Sequence, residues 1–189
     1  EVGEQGAEEP RNAILIVSEG AGLSALSAAY YHFGELALLS MRERAFIATH
    51  SLDGLVADRA AAATAIATGN RTRRGALGMA PATIGGELEA MPSLLALAAR
   101  SGTRTGLITR DSLRNPGAAA FFVQKESGAD LSPERALEEV IAMADRSQRP
   151  FGFDFLAVAQ DEGGLLESSA TLQEQGYSLR LKDGELEPE

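Results

Sequence analysis

Apolar positions along the chain recur with two periods. Asn12-Ala13-Ile14-Leu15-Ile16-Val17 is a short apolar run of the kind that forms a buried strand, and residues 44–50, 103–109 and 153–159 read the same way. Helical spacing covers residues 23–32, 91–100 and 165–175, the last two stopping at Gly102 and Gly176. Ser132-Pro133-Glu134-Arg135 opens another helix to about residue 146, with a cap residue followed by proline at the first helical position. Residues 177–181 predict a last strand. Strands alternating with helices predict an α/β fold, with a mostly parallel sheet between helices. Residues 1–11 are acidic and glycine-bearing and predict a flexible N-terminal arm. The α/β domain is expected over 12–182, and 183–189 reads as an acidic tail.

One stretch stands out. Six of the eight residues from Ala60 to Ala67 are alanine, the best helix former and the slimmest. Asp58 is placed to accept from the free amides of the first turn, and Gly69 supplies the stop. So thin a helix lets its neighbours approach closely, and is expected to lie buried under a sheet. A polar, glycine-bearing loop over 70–87 follows.

The same stretch resembles the signature of the alkaline phosphatases, in which D-S-A-A-S/G-A-T-A, then T-G and a G-x-x-G turn, carry a serine nucleophile at a helix start. Asp58, Ala60, Ala61, Ala63, Thr64, Ala65, Thr68, Gly69, Gly75 and Gly78 match that framework, and Arg59 stands at the nucleophile position. The opening Asn12–Gly22 segment resembles the family's first strand and turn. There Ser18-Glu19-Gly20-Ala21-Gly22 places Glu19 where the family has a metal-binding aspartate. Its extra methylene displaces the oxygens by roughly 1.5 Å against a tolerance of about 0.5 Å.

Residues 115–124, Asn-Pro-Gly-Ala-Ala-Ala-Phe-Phe-Val-Gln, resemble H-A-T-P-A-A-F-Y-A-H. Asn115 and Gly117 stand at the two magnesium-site positions, and Gly128 stands where the resemblance places a phosphate-gripping arginine. Residues 154–160 resemble a later strand of the family. The resemblance covers the N-terminal half of that fold. The zinc ligands it implies for the other half have no counterpart in these 189 residues.

Composition narrows the remaining chemistry. The 189 residues suit one domain with a real core. A net charge of −10 argues against nucleic acid or an anionic membrane as partner, and no apolar run is long enough for membrane insertion. Without cysteine there is no thiolate site. The two histidines, His32 and His50, have no paired metal spacing. His50, Ser51 and Asp53 are triad residue types, but neighbours on a strand face opposite ways. Arg71, Arg73 and Arg74 read as a solvated basic loop, with an anion cradle as the alternative. Residues 30–33, Tyr-Tyr-His-Phe, read as a helix end packed on the core.

These readings predict a catalytically inactive alkaline-phosphatase-like protein, kept as a binding or structural subunit. No cofactor is expected, although the resemblance implies zinc and magnesium. An uncovered sheet edge predicts a partner, itself or another protein, and a small anion at Arg59 is the rival: a phosphate- or sulfate-ester binding module. A third possibility is a metal-dependent phosphatase whose missing ligands come from another chain. A first residue other than methionine, as after processing, predicts secretion or a periplasmic location.

Overall fold

The computed structural model describes residues 12–43, 45, 47–83, 85–126, 131–144, 153–159 and 169–174. The chain divides into two units, Glu1–Phe46 and Ile47–Glu189. In the first, α1 (Leu23–Phe33) stops at Gly34, whose φ of 77° turns its N–H onto the Tyr30 carbonyl at 2.8 Å. A 3₁₀ turn spans Ala37–Ser40.

Two expectations fail in this unit. The 12–17 run is not a strand: no ladder among the described residues includes it, and Ile14 and Ile16 are 86% and 81% exposed. An apolar run becomes a strand only when a neighbour takes its amides and carbonyls. The 30–33 cluster does not sit on a core either, because α1 buries none of its residues. Four bulky side chains in a row point to every side of a helix. They meet each other edge-on instead, Tyr30 with Tyr31 and His32 with Phe33.

In the second unit, residues 47–50 form no strand, and Arg44 and Phe46 lie outside the described residues. Tertiary ties take up the chain from His50 onward. The Leu52 N–H donates to Thr72 O at 2.9 Å, and the Arg74 N–H is shared by both oxygens of Asp53 at 3.0 and 3.2 Å. Residues 47–49, ahead of those ties, have no strand partner among the described residues, and Ile47 is 77% exposed.

Helix α2 (Arg59–Thr68) ends at Gly69 with φ 74°, as its punctuation predicts. Its Ala60, Ala63 and Ala67 lie in the core with Leu77, Ala119 and Ala120. It packs against the helices α3 (Leu94–Arg100) and α4 (Pro116–Ala119) rather than under a sheet. Methyl-sized side chains on both α2 and α4 let the two backbones close up. Ser93 caps α3, accepting from Ala96 N at 3.2 Å while donating to Phe121 O at 2.7 Å.

The 70–87 loop is not wholly irregular. Met79–Pro81 (β1) pairs antiparallel with Leu88–Ala90 (β2), two three-residue strands, the first ending in proline, too short for alternation to reveal. Gly106–Thr109 (β3) and Phe155–Val158 (β4) form the expected parallel pair, Gly106 opposite Phe155 and Thr109 opposite Val158. Parallel strands need a long crossover, and α4 and α5 (Pro133–Ala144) lie within it. The helix α6 (Ser169–Glu174) falls inside the predicted 165–175 helix. Leu107, Leu156 and Val158 pack on the core, and Phe122 meets Phe153 at 5.8 Å, edge to face. The fold is thus α/β, with helices around a small parallel sheet. The arm 1–11, the strand expected at 177–181 and the tail 183–189 lie outside the described residues.

Gly78 is the tightest point of this unit. Its φ is 62°, and a Cβ there would lie 2.1 Å from the Val123 carbonyl oxygen. Gly78→Ala is expected to lower stability by more than about 2 kcal/mol, from left-handed strain and overpacking together. Gly69→Ala has the same φ sign but open space around it, and should cost only about 1 kcal/mol. Urea denaturation of the two variants checks the ordering.

Asp53 generates a second expectation. The Arg74 N–H, with the Ser51 hydroxyl, holds its carboxyl below the ordinary 3.8. A depressed carboxylate contributes stability that is complete above the ordinary value and is lost as pH falls through the folded value. Melting temperature should therefore fall below about pH 4, and less steeply in Asp53→Asn, which has no such carboxylate to protonate. Thermal melts from pH 7 to pH 2.5 measure both slopes.

Candidate functional site

The start of α2 is built by side chains that hold the backbone. Asp58, with ψ 177°, sits outside the helix, and its Oδ1 accepts from Ala61 N at 2.9 Å. Its Oδ2 accepts from Gly75 N at 2.8 Å, so both oxygens are spent. One turn on, the Thr64 hydroxyl donates to Ala76 O at 3.0 Å and accepts from Gly78 N at 2.9 Å. These ties fix the 75–78 turn against α2. Leu77 then exchanges two 2.8 Å backbone bonds with Lys125, joining the turn to the segment after α4.

Arg59 is the first helical residue and is exposed. Among the described residues its guanidinium makes no hydrogen bond or ion pair. The carboxylate within its field is Asp111, two residues beyond the end of β3. Asp111 Oδ1 accepts from Ser112 N at 2.8 Å, and Oδ2 accepts from the Asn115 side-chain amide. The Asn115 amide foremost, then the Ser112 N–H and more weakly the Arg59 charge, hold the Asp111 carboxyl below the ordinary 3.8.

Asn115 itself caps α4, its Oδ1 accepting from Gly117 N at 3.0 Å. Gly117 contributes only that N–H. The structure therefore brings Asn115 together with Asp111, a residue that sequence reasoning passes over. A signal was available: parallel α/β sheets place their chemistry beyond the carboxyl ends of the strands, and Asp111 follows β3 directly.

Glu19 lies in the first unit, exposed, in the turn before α1. Gly128 lies outside the described residues. Both Asp58 oxygens and the Asn115 oxygen already accept N–H groups, Gly117 offers no side chain, and no three His, Asp or Glu residues cluster among the described residues.

The other candidates are structural ties. His50 Nε2 meets Arg71 rather than Ser51 or Asp53, so no triad forms. The three arginines are not simply solvated. Arg71 is held by His50, Arg73 donates to Gly86 O, and the Arg74 guanidinium lies against Gly54. The basic loop is clamped.

The family model for alkaline phosphatase matches residues 10–147. Alkaline phosphatase 4 of Drosophila melanogaster is 27% identical over 128 residues, covering 61% of this chain and 22% of its own length. The alkaline phosphatase of the Antarctic bacterium TAB5 superposes with a TM-score of 0.66 at 23% identity, over 87% of this chain and 46% of that one. A mutant of that enzyme with magnesium bound gives 0.67 at 22% identity over the same shares. The cold-active enzyme of a psychrophilic Shewanella gives 0.59 at 20%, over 82% of this chain and 37% of that one. The chain thus spans under half the length of these solved relatives and about a fifth of the curated one. With more than two thirds of its residues inside the family model, and the α2 framework built as described above, this chain belongs to the alkaline phosphatase family.

Proposed function

We propose that this chain is a catalytically inactive alkaline-phosphatase-like protein, serving as a binding or structural subunit of a secreted or periplasmic assembly. The observation that carries the reading is the guanidinium at the first position of α2, where the resemblance implies a serine nucleophile. Arginine stays protonated and has no lone pair with which to attack phosphorus. The loss lies inside this span, so it holds whatever sequence flanks it or whatever chain supplies further ligands. That counts against the reading in which a second chain completes a live phosphatase.

The neighbouring groups support the proposal. In the family's chemistry metal ions would polarise the phosphoryl oxygens and lower the nucleophile's pKa. Here the groups at the magnesium-site positions are occupied in capping α4. Removing one preorganised electrostatic element costs roughly 10²–10³-fold in rate, and several are replaced at once. The role left to the protein is contact. Ile108 on β3 and Phe155 on β4 are 73% and 56% exposed, on strands whose Leu107, Leu156 and Val158 pack on the core. A second copy of the chain or a different protein is the partner proposed for that surface.

The purified chain is expected to hydrolyse p-nitrophenyl phosphate no faster than buffer, with zinc and magnesium supplied. Arg59→Ser alone should restore nothing, because an unassisted serine remains a poor nucleophile. Metal-dependent turnover by the unmodified chain would overturn the proposal.

Zinc should bind only as it does to any acidic surface, since carboxylates without imidazole or thiolate partners hold it weakly. Titration calorimetry is expected to show no stoichiometric site at micromolar zinc or below.

A further inference from the structure

We propose that Asp53-Gly54 is a latent isomerisation site: the clamp between the 51–54 and 70–75 loops keeps it unreactive, and conversion of Asp53 to isoaspartate unlatches those loops. Asp53 is exposed, and the residue after it is glycine, which has no Cβ to hinder attack by its own nitrogen on the preceding side chain. The Gly54 nitrogen bonds to Asp53 Cγ, the carboxyl hydroxyl leaves with the amide proton as water, and a five-membered succinimide closes. Water then opens the imide. Opening at the α-carbonyl leaves the main chain running through Cβ and Cγ, an isoaspartyl bond. One water leaves and one returns, so the mass is unchanged and no oxidant or cofactor enters.

Three contacts hold the reaction back. Both Asp53 oxygens accept the Arg74 N–H, at 3.0 and 3.2 Å, so the carboxyl is tied to the neighbouring loop when it would have to close on Gly54. The Ser51 hydroxyl donates to Gly54 O at 3.2 Å and holds the attacking residue from its carbonyl side. The Arg74 guanidinium lies 3.3 Å from where a Gly54 side chain would begin. The Arg74 N–H foremost, then the Ser51 hydroxyl, also keep the Asp53 carboxyl ionised below its ordinary range. A carboxylate is the poorer electrophile, because it has no hydroxyl to lose.

Isomerisation would undo the clamp. It adds one methylene to the main chain between Leu52 and Gly54 and draws the carboxylate back onto Cα. The acceptor of the Arg74 N–H moves by about 1.5 Å, one carbon–carbon bond, which takes a 3.0 Å hydrogen bond out of range. Next to Asp53, the Leu52 N–H donates to the carbonyl of buried Thr72 at 2.9 Å. Next to Arg74, the Gly75 N–H donates to Asp58 Oδ2 at 2.8 Å, so the loosening reaches the start of α2. The proposed function makes no use of this site.

The test ages the full chain at neutral pH, below its melting temperature, and follows it by tryptic peptide mapping with electron-transfer fragmentation, which separates isoaspartate from aspartate at equal mass. Trypsin places Asp53-Gly54 in residues 45–59 and the other Asp-Gly pair, Asp183-Gly184, in residues 183–189, so the two are read apart. Isoaspartate at position 53 should form at least about tenfold more slowly in the native chain than in the same chain unfolded by guanidinium chloride, because reaction waits for the loop to open. Ser51→Ala removes one donor from the clamp and should raise the native rate about threefold. Gly54→Ala, whose Cβ meets only the movable end of Arg74, should suppress the reaction in both states. In the isoaspartyl chain the Arg74 amide should exchange its hydrogen about tenfold faster. Equal rates in the native and unfolded chain, or a native rate indifferent to Ser51→Ala, overturn the clamp. No isoaspartate in the unfolded chain overturns the site, and unchanged exchange at Arg74 overturns the unlatching.

Discussion

The buried hydroxyl of Thr64 is the contact on which the second unit's architecture turns. It has no exposed surface, and it bridges the Ala76 carbonyl and the Gly78 N–H. A buried polar group left without partners costs about 1–3 kcal/mol, so the bridge satisfies one side-chain and two backbone groups together. It also sets a distance. With the turn drawn onto α2, Gly78 passes so close to Val123 that only a residue without Cβ fits, and Leu77 enters the core with no exposed surface. Leu77 then carries the ladder to Lys125, which joins α2, the turn and the end of the α4 segment.

The positions that match the family signature are of two kinds. Asp58, Thr64, Gly69 and Gly78 each do something for the backbone: they cap, bridge, terminate or make room. Arg59 does none of these. Its side chain leaves the helix into solvent and makes no structural bond among the described residues, so replacing a small hydroxyl there by a guanidinium asks nothing of the scaffold. The fold can therefore keep the shape of its relatives whichever side chain stands at that position. Asn115 shows the same economy from the other direction, because its amide serves α4 and Asp111 at once.

Charge follows a similar division. Asp53, Asp58, Asp111 and Asp154 all accept backbone N–H groups. The basic loop residues Arg71, Arg73 and Arg74 face His50, the Gly86 carbonyl and Gly54 in turn. Most of these contacts lie at the surface, where their worth is modest and screened, so they define local geometry more than they add stability.

What the sequence determined by itself was local. Asp58, Gly69 and the Ser132-Pro133 pair are capping signals read within one turn, and α2 and α5 begin or end where those signals stand. The β3 and β4 runs were legible because a parallel strand packed on a core is continuously apolar. The tertiary structure decided everything that depended on a partner far along the chain. Residues 12–17 have a strand's composition, but composition does not supply the neighbour whose amides and carbonyls a ladder requires. The alanine helix could have met a sheet or another slim helix, and only the approach of α4 chose.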